Sequence, residues 1–137
     1  MAVTMMADHS LPSLRIGVDL IDVSRIERAM HRHGERFYKR FFTAAERDYC
    51  QDRPERLAAR IAVKEAVGKA LGTGIGDIRW VEIEVGSDGR GRPLLHLHGA
   101  AAELAAALGL NVWEISLSHS QSQAIAFVVA HGQNTPA

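Results

Sequence analysis

A single cysteine, Cys50, leaves this 137-residue chain without an internal disulfide or a cysteine-based metal site. No neighbouring Cys or His spacing marks it as a nucleophile, so it reads as a packed or half-exposed thiol. Long apolar runs are missing too: none approaches the roughly 18 residues of a membrane span, so no membrane association is expected. The first dozen residues, MAVTMMADHSLP, lack the basic start and apolar core of a secretory signal. A cytoplasmic location is therefore expected. H-E-x-x-H is absent, which removes support for zinc, and so is the G-x-x-x-x-G-K-[ST] phosphate loop. Aromatics make up only 6% of the chain, too few to offer many base-stacking platforms, and no RNA-binding motif is present.

What remains is a composition of 47% hydrophobic and 23% charged residues, that of a globular chain. One domain is expected over residues 15–132, between tails at 1–14 and 133–137. Formal net charge is zero, yet it is unevenly spread: from Arg25 to Arg60 there are ten basic residues against six acids, a local excess of four. An acidic partner would suit that region, as would an ordinary solvated helical surface.

LRIGVDLIDV reads as a strand that runs into a helix at DVSRIERAM, where Ser24 and Glu27 form an S-x-x-E start and Asp22 offers a second cap. Asp19 is left in mid-strand with no capping task, although Asp is disfavoured in strands. Thr43 with Glu46 predicts a second helix start, and RPERLAARIAVKEAVGKAL a long helix with Pro54 in its first turn and Gly72 just past its end. WVEIEV and LLHLH around the turn-rich GSDGRGRP predict a hairpin. A short alanine-rich helix follows, GAAAELAAALG, and VWEISLSH with AIAFVVAHG predicts a second hairpin. The order implies an α+β fold with a mainly antiparallel sheet packed against the long helix.

The long helix is apolar almost all round, yet it carries Glu65 and Lys69 one turn apart among small side chains. An i,i+4 ion pair accounts for them structurally. A functional account makes Asp19 and Glu65 a pair of oxygen ligands for a hard cation such as Mg²⁺, with Lys69 beside them. The glycines of ALGTGIG could be a helix C-cap or a backbone cradle for phosphate. His119, among serines in SLSHSQS, could be solvated or used.

IGVDLIDVSRIE, RIAVKEAVGKALGTGIG and SLSHSQSQAIAFVV, in this order and at these separations, resemble the holo-acyl-carrier-protein synthases, a group of 4'-phosphopantetheinyl transferases. The resemblance runs from about Arg15 to Val129. It implies a 4'-phosphopantetheinyl transferase fold and transfer of the phosphopantetheine arm of coenzyme A to a serine of apo acyl carrier protein, with Mg²⁺ as cofactor and 3',5'-ADP released. By the same resemblance Asp19 and Glu65 would be metal ligands and Lys69 would contact phosphate. Arg60, Gly72, Thr73 and Gly74 would lie near the coenzyme, and Ser118 and His119 near its adenosine 3'-phosphate end. Arg25, Arg32 and Arg36 would dock the acidic carrier, and the sites would lie between subunits of a homotrimer. Ile61 departs from the aromatic frequent at its position, and the tail before Arg15 is longer than in the shortest members. Two other classes compete: a non-catalytic basic module binding nucleic acid or an acidic protein, and a metal-independent coenzyme A acyltransferase. Which carrier is served, fatty-acid or polyketide, is not encoded in any of these motifs.

Overall fold

The structure is a computed structural model that describes residues 2–3 and 14–133. The expected tails at 1–14 and 133–137 therefore lie almost wholly outside the described residues. The chain runs β1 (Leu14–Asp22), α1 (Val23–His33), α2 (Glu35–Phe41), α3 (Ala44–Cys50), α4 (Pro54–Leu71), a single 3-10 turn (Trp80–Glu82), β2 (Ile83–Ser87), β3 (Pro93–Leu97), α5 (Gly99–Ala107), β4 (Val112–His119) and β5 (Gln123–His131). Antiparallel pairing builds two sheets where one was expected: three strands in the order β1-β5-β4, and the hairpin β2-β3.

Capping explains most of the helix boundaries. The Thr43 hydroxyl accepts from the Glu46 amide and the Glu46 carboxylate accepts from the Thr43 amide, a reciprocal box that starts α3. Pro54 opens α4, and Gly72 closes it in the left-handed region at φ 83°. The start of α1 differs from the S-x-x-E expectation. The helix begins two residues earlier, with Asp22, the second cap that the sequence offers, at the cap position and no side-chain capping bond. A tertiary contact supplies the missing acceptor, since the Val23 amide donates to the Ser122 carbonyl at 2.9 Å. WVEIEV is likewise only half strand. Trp80–Glu82 is a 3-10 turn because Glu82 folds back to accept from the Arg79 amide at 2.7 Å, and only Ile83 onward pairs in the hairpin.

The core sits between α4 and the three-stranded sheet. Gly17 and Ile21 of β1 and Ala124, Ala126, Val128 and Ala130 of β5 face α4, whose Ala58, Ala62, Val63, Ala66 and Val67 are fully buried. Small residues on both sides let backbone approach backbone: a Cβ placed on Gly17 would lie 1.9 Å from the Ala66 carbonyl oxygen. On the other side of α4 the ammonium of Lys64, entirely buried, bonds the Glu46 carboxylate at 2.7 Å and the Trp80 carbonyl at 3.1 Å. Glu46 also accepts from the Val85 amide at 2.9 Å, so one buried carboxylate joins α3, α4 and β2. Cys50 is buried and free, and burial pushes its thiol up to about 11, which makes it unreactive.

Gly17→Ala drives a methyl into backbone that cannot yield without moving α4 off β1. We expect it to destabilise the fold by about 3 kcal/mol, the upper end of the range for core overpacking, read as a lower urea midpoint. Gly109→Ala, a positive-φ position with open space around it, should cost about 1 kcal/mol and serve as control.

Candidate functional site

The contact between Gly17 and Ala66 sets the site, because Asp19 lies two residues along the same face of β1 and Glu65 is the next residue back on α4. Both carboxylates line a cleft of about 620 Å³. Lys69, one helical turn beyond Glu65, reaches across to β1: its ammonium lies 3.2 Å from Asp19 Oδ1 and donates to the Val18 carbonyl at 2.9 Å. The i,i+4 pair between Glu65 and Lys69 is not formed, since β1 offers Lys69 a carbonyl and a carboxylate together. Glu65 is half-buried. Its carboxyl is held above the ordinary value first by loss of solvent and then by the charge of Asp19, against the opposing pull of Lys69 and Arg25.

Two carboxylates whose charges oppose each other in one wall form a donor set that a hard cation would relieve. Among the described residues no three His, Cys, Asp or Glu side chains cluster as a fuller metal cage. The chain could thus supply two oxygen ligands and leave the remaining positions to water and to oxygens of a substrate, the pattern that suits Mg²⁺.

Around the carboxylates the cleft is basic at its rim and apolar on its floor. Arg25 and Arg36 line it, and Ile26, Phe37, Phe41 and Ile61 form its apolar surface. Arg32 is exposed on α1 outside the lining. A second cleft of about 460 Å³, lined by Lys39, Ile75, Ile78 and Arg79, meets the first at Arg40, Glu65 and Trp80. Apart from Glu65, none of the residues that line the second cleft stands out in the sequence. Trp80 had the look of a strand residue, and Arg40 and Arg79 were indistinguishable from other solvated arginines.

The other candidates fall in separate places. Gly72 and Gly74, both at positive φ, form the loop after α4, where Thr73 Oγ1 donates to the Gly74 carbonyl at 3.0 Å. A methyl on Gly72 would sit 3.6 Å from the Arg15 guanidinium, so this loop lies at the Arg15 end of β1. Ser118 and His119 lie at the opposite end, since His119 pairs with Ala124 and Ala124 with Ile21. Six strand residues from Arg15 to Ile21 put about 20 Å between these ends. Arg60 lines neither cleft. It is buried against Tyr49, with its guanidinium carbon 4.4 Å from the ring centroid, and donates to the Arg56 carbonyl at 3.3 Å.

Residues 15–128 match the 4'-phosphopantetheinyl transferase superfamily. A holo-[acyl-carrier-protein] synthase of Herpetosiphon aurantiacus is 52% identical over 123 residues, covering 85% of this chain and 97% of that protein. The crystal structure of the Helicobacter pylori holo-[acyl-carrier-protein] synthase in complex with coenzyme A superposes with a TM-score of 0.78 at 32% identity, over 84% of this chain and 98% of the other. That of Bacillus anthracis, in complex with coenzyme A (3',5'-ADP), gives 0.72 at 34% identity, over 87% and 96%.

The raised Glu65 carboxyl has a sign that can be checked. Its ordinary value is 4.5, and below that pH the group is protonated in both folded and unfolded chains. As pH rises from there through the raised folded value, the folded chain binds the extra proton and loses stability. Glu65→Gln removes that loss. The variant should unfold at higher urea than the parent at pH 7 in metal-free buffer, and the difference should close near pH 4. A variant less stable at pH 7 would contradict the charge opposition between Asp19 and Glu65.

Proposed function

Because the chain belongs to the holo-[acyl-carrier-protein] synthases of the 4'-phosphopantetheinyl transferase superfamily, we propose that it transfers the 4'-phosphopantetheine moiety of coenzyme A to a serine hydroxyl of apo acyl carrier protein. The observation that carries the reading is the placement of Asp19 and Glu65 in one cleft whose rim holds Arg25 and Arg36, with the Lys69 ammonium 3.2 Å from Asp19 Oδ1. In the step itself, the serine oxygen forms a bond to the β-phosphorus of the coenzyme, the pyrophosphate P–O bond breaks, and 3',5'-ADP leaves with the bonding pair. Mg²⁺ held by Asp19 and Glu65 would offset the negative charge on the pyrophosphate oxygens. Lys69 would exchange its contact with Asp19 for a phosphate oxygen. Glu65, or a water that it orients, would accept the serine proton. Gly72, Thr73 and Gly74 would offer backbone close to the coenzyme.

Arg25, Arg32 and Arg36 would receive the acidic carrier, whose serine-bearing end could then enter the cleft over the apolar floor. We assign the activity to residues 15–132 as one domain and to the cytoplasm. No helix among the described residues is long and apolar enough to cross a membrane. The protein would act as a homotrimer. Two observations support that assembly. The sheet face turned away from α4 presents Leu14, Ile16 and Leu20, each more than half exposed (67%, 63% and 58%), beside Val18, Ile125 and Phe127. Such a continuous apolar face is characteristic of an interface. The separation of the glycine loop from Ser118 and His119 also has a simple remedy if a neighbouring subunit brings its own Ser118 and His119 to this subunit's loop. In that arrangement Arg60, buried against Tyr49, serves the fold of α3 on α4.

The decisive measurement is the intact mass of apo carrier incubated with this protein, coenzyme A and Mg²⁺. One phosphopantetheine should be gained, EDTA should abolish the gain, and Asp19→Ala should lower kcat/KM by about a hundredfold or more while circular dichroism stays near the parent's. Activity that survives EDTA would remove the metal pair from the mechanism. For the assembly, Phe127→Glu should convert the protein from a trimer to a 15.0 kDa species in light scattering and abolish transfer. A parent that is monomeric and fully active at the same dilution would exclude the intersubunit site.

A further inference from the structure

The fold holds one buried cation that the mechanism above leaves idle. Lys64 precedes Glu65 on α4, so the two side chains leave the helix about 100° apart. Glu65 goes to the cleft and Lys64 to the interior. Burying an ammonium is costly, and burial lowers its proton affinity against the opposing charge of Glu46. A methionine of similar length would fill the same space without that cost, yet could not donate to Glu46 at 2.7 Å or to the Trp80 carbonyl at 3.1 Å. Glu46 already has amide partners in Thr43 and Val85. What the ammonium adds is the tie to Trp80.

Trp80 occupies a special place between the two clefts. It borders both, together with Glu65 and Arg40, and its ring packs 4.8 Å from that of Phe41 on the floor of the first. The 3-10 turn that carries it is held on the far side by Glu82, whose carboxylate accepts from the Arg79 and Ala100 amides and whose carbonyl accepts from the His98 amide at 2.8 Å. On the near side, among the described residues, the hydrogen bond between α4 and this turn is the one from Lys64. The backbone that carries the indole is therefore tied to the same helical turn that presents Glu65.

We propose that Lys64 is a positioning residue for the transfer reaction: by holding the Trp80 carbonyl it fixes the indole wall that divides the two clefts at Glu65, and so sets the space in which the acceptor hydroxyl and the phosphopantetheine moiety meet. This rests on the transferase reading above. Trp80 is then a substrate-facing wall, and Lys64 acts only through it. A shift of the wall by about 1 Å would cost about a hundredfold in rate, which is the scale of effect to look for.

The test separates stability from position. With Trp113→Phe, Trp80 becomes the sole tryptophan of the two in the chain. In that background Glu46→Gln keeps an acceptor for Lys64 and leaves the Trp80 bond intact. It should lower the urea midpoint but keep kcat/KM within about twofold. Glu46→Gln combined with Lys64→Met removes the tie without stranding a charge. It should shift the Trp80 emission, increase its quenching by acrylamide, and lower kcat/KM by roughly ten- to a hundredfold. Trp80→Leu retains the carbonyl and the Lys64 bond, and should lose activity to a similar extent. Adding Glu46→Gln and Lys64→Met to it should cost little more, because the sites act through one element. Additive losses, or Glu46→Gln as slow as the double variant, would overturn the proposal. So would parental kinetics in Trp80→Leu, which decides the matter even if the Lys64 variant fails to fold. The emission readout needs no substrate. If the parent adds no mass to apo carrier, the transferase reading fails and this role with it, whereas the emission shift would still report the Lys64 to Trp80 link.

Discussion

The closest constraint in this molecule is the approach of β1 to α4 at Gly17 and Ala66, where a single methyl has no room. Everything that bears on chemistry is referenced to it. Strand geometry puts Asp19 on the same face as Gly17, and helix geometry puts Glu65 beside Ala66 and Lys69 one turn on. A backbone contact this tight fixes two carboxylates against each other despite their mutual repulsion, with Lys69 bridging to Asp19 and to the strand carbonyl in partial compensation. Neither carboxylate could be placed as accurately by a loop, because the elements that hold them carry most of the core.

A second device works on the opposite side of the same helix. The Glu46 to Lys64 pair adds little net stability over an apolar filling, given the cost of desolvating both charges. It does give directional bonds to four places: the start of α3, the interior of α4, the middle of β2 and the Trp80 turn. Apolar contacts alone would hold these elements together but leave their relative slide loosely set. The helix thus carries precision outward through Glu65 and inward through Lys64.

How much of this could be read in the sequence depends on how local each cause is. The capping box of Thr43 and Glu46, Pro54 at the head of α4 and Gly72 at its end are governed by residues within one turn, and all are where pattern places them. The two hairpins were legible for the same reason. Of the two caps offered for α1, Asp22 holds the position, but the S-x-x-E box does not form, and the acceptor for the Val23 amide comes from Ser122, about a hundred positions away. Trp80–Glu82 imitated a strand by alternation, while the deciding contacts of Glu82 lie with Arg79 and with α5. Buried charge on α4 was expected from its apolar surroundings, but periodicity drew attention to Glu65 and Lys69. The fully buried cation is Lys64, and only the position of α3 reveals it.

The two faces of the three-stranded sheet show how function and assembly can be divided within so small a chain. One face is built mainly from small residues, Gly17, Ala124, Ala126 and Ala130, with Ile21 and Val128 among them, to admit α4, and Asp19 is the carboxylate of β1 on it. The other is built from Leu14, Ile16, Val18, Leu20, Ile125 and Phe127, large apolar side chains left open to solvent by the chain itself. Alternation along β1 forces these choices together, since each residue that serves the helix side is followed by one that serves the outer side. Asp19 therefore stands between Val18 and Leu20, and a carboxylate of the proposed metal pair is flanked in sequence by residues of the proposed subunit interface. Under that proposal, closing the outer face against a neighbour stiffens the strand that carries Asp19, so that assembly and site geometry become one requirement.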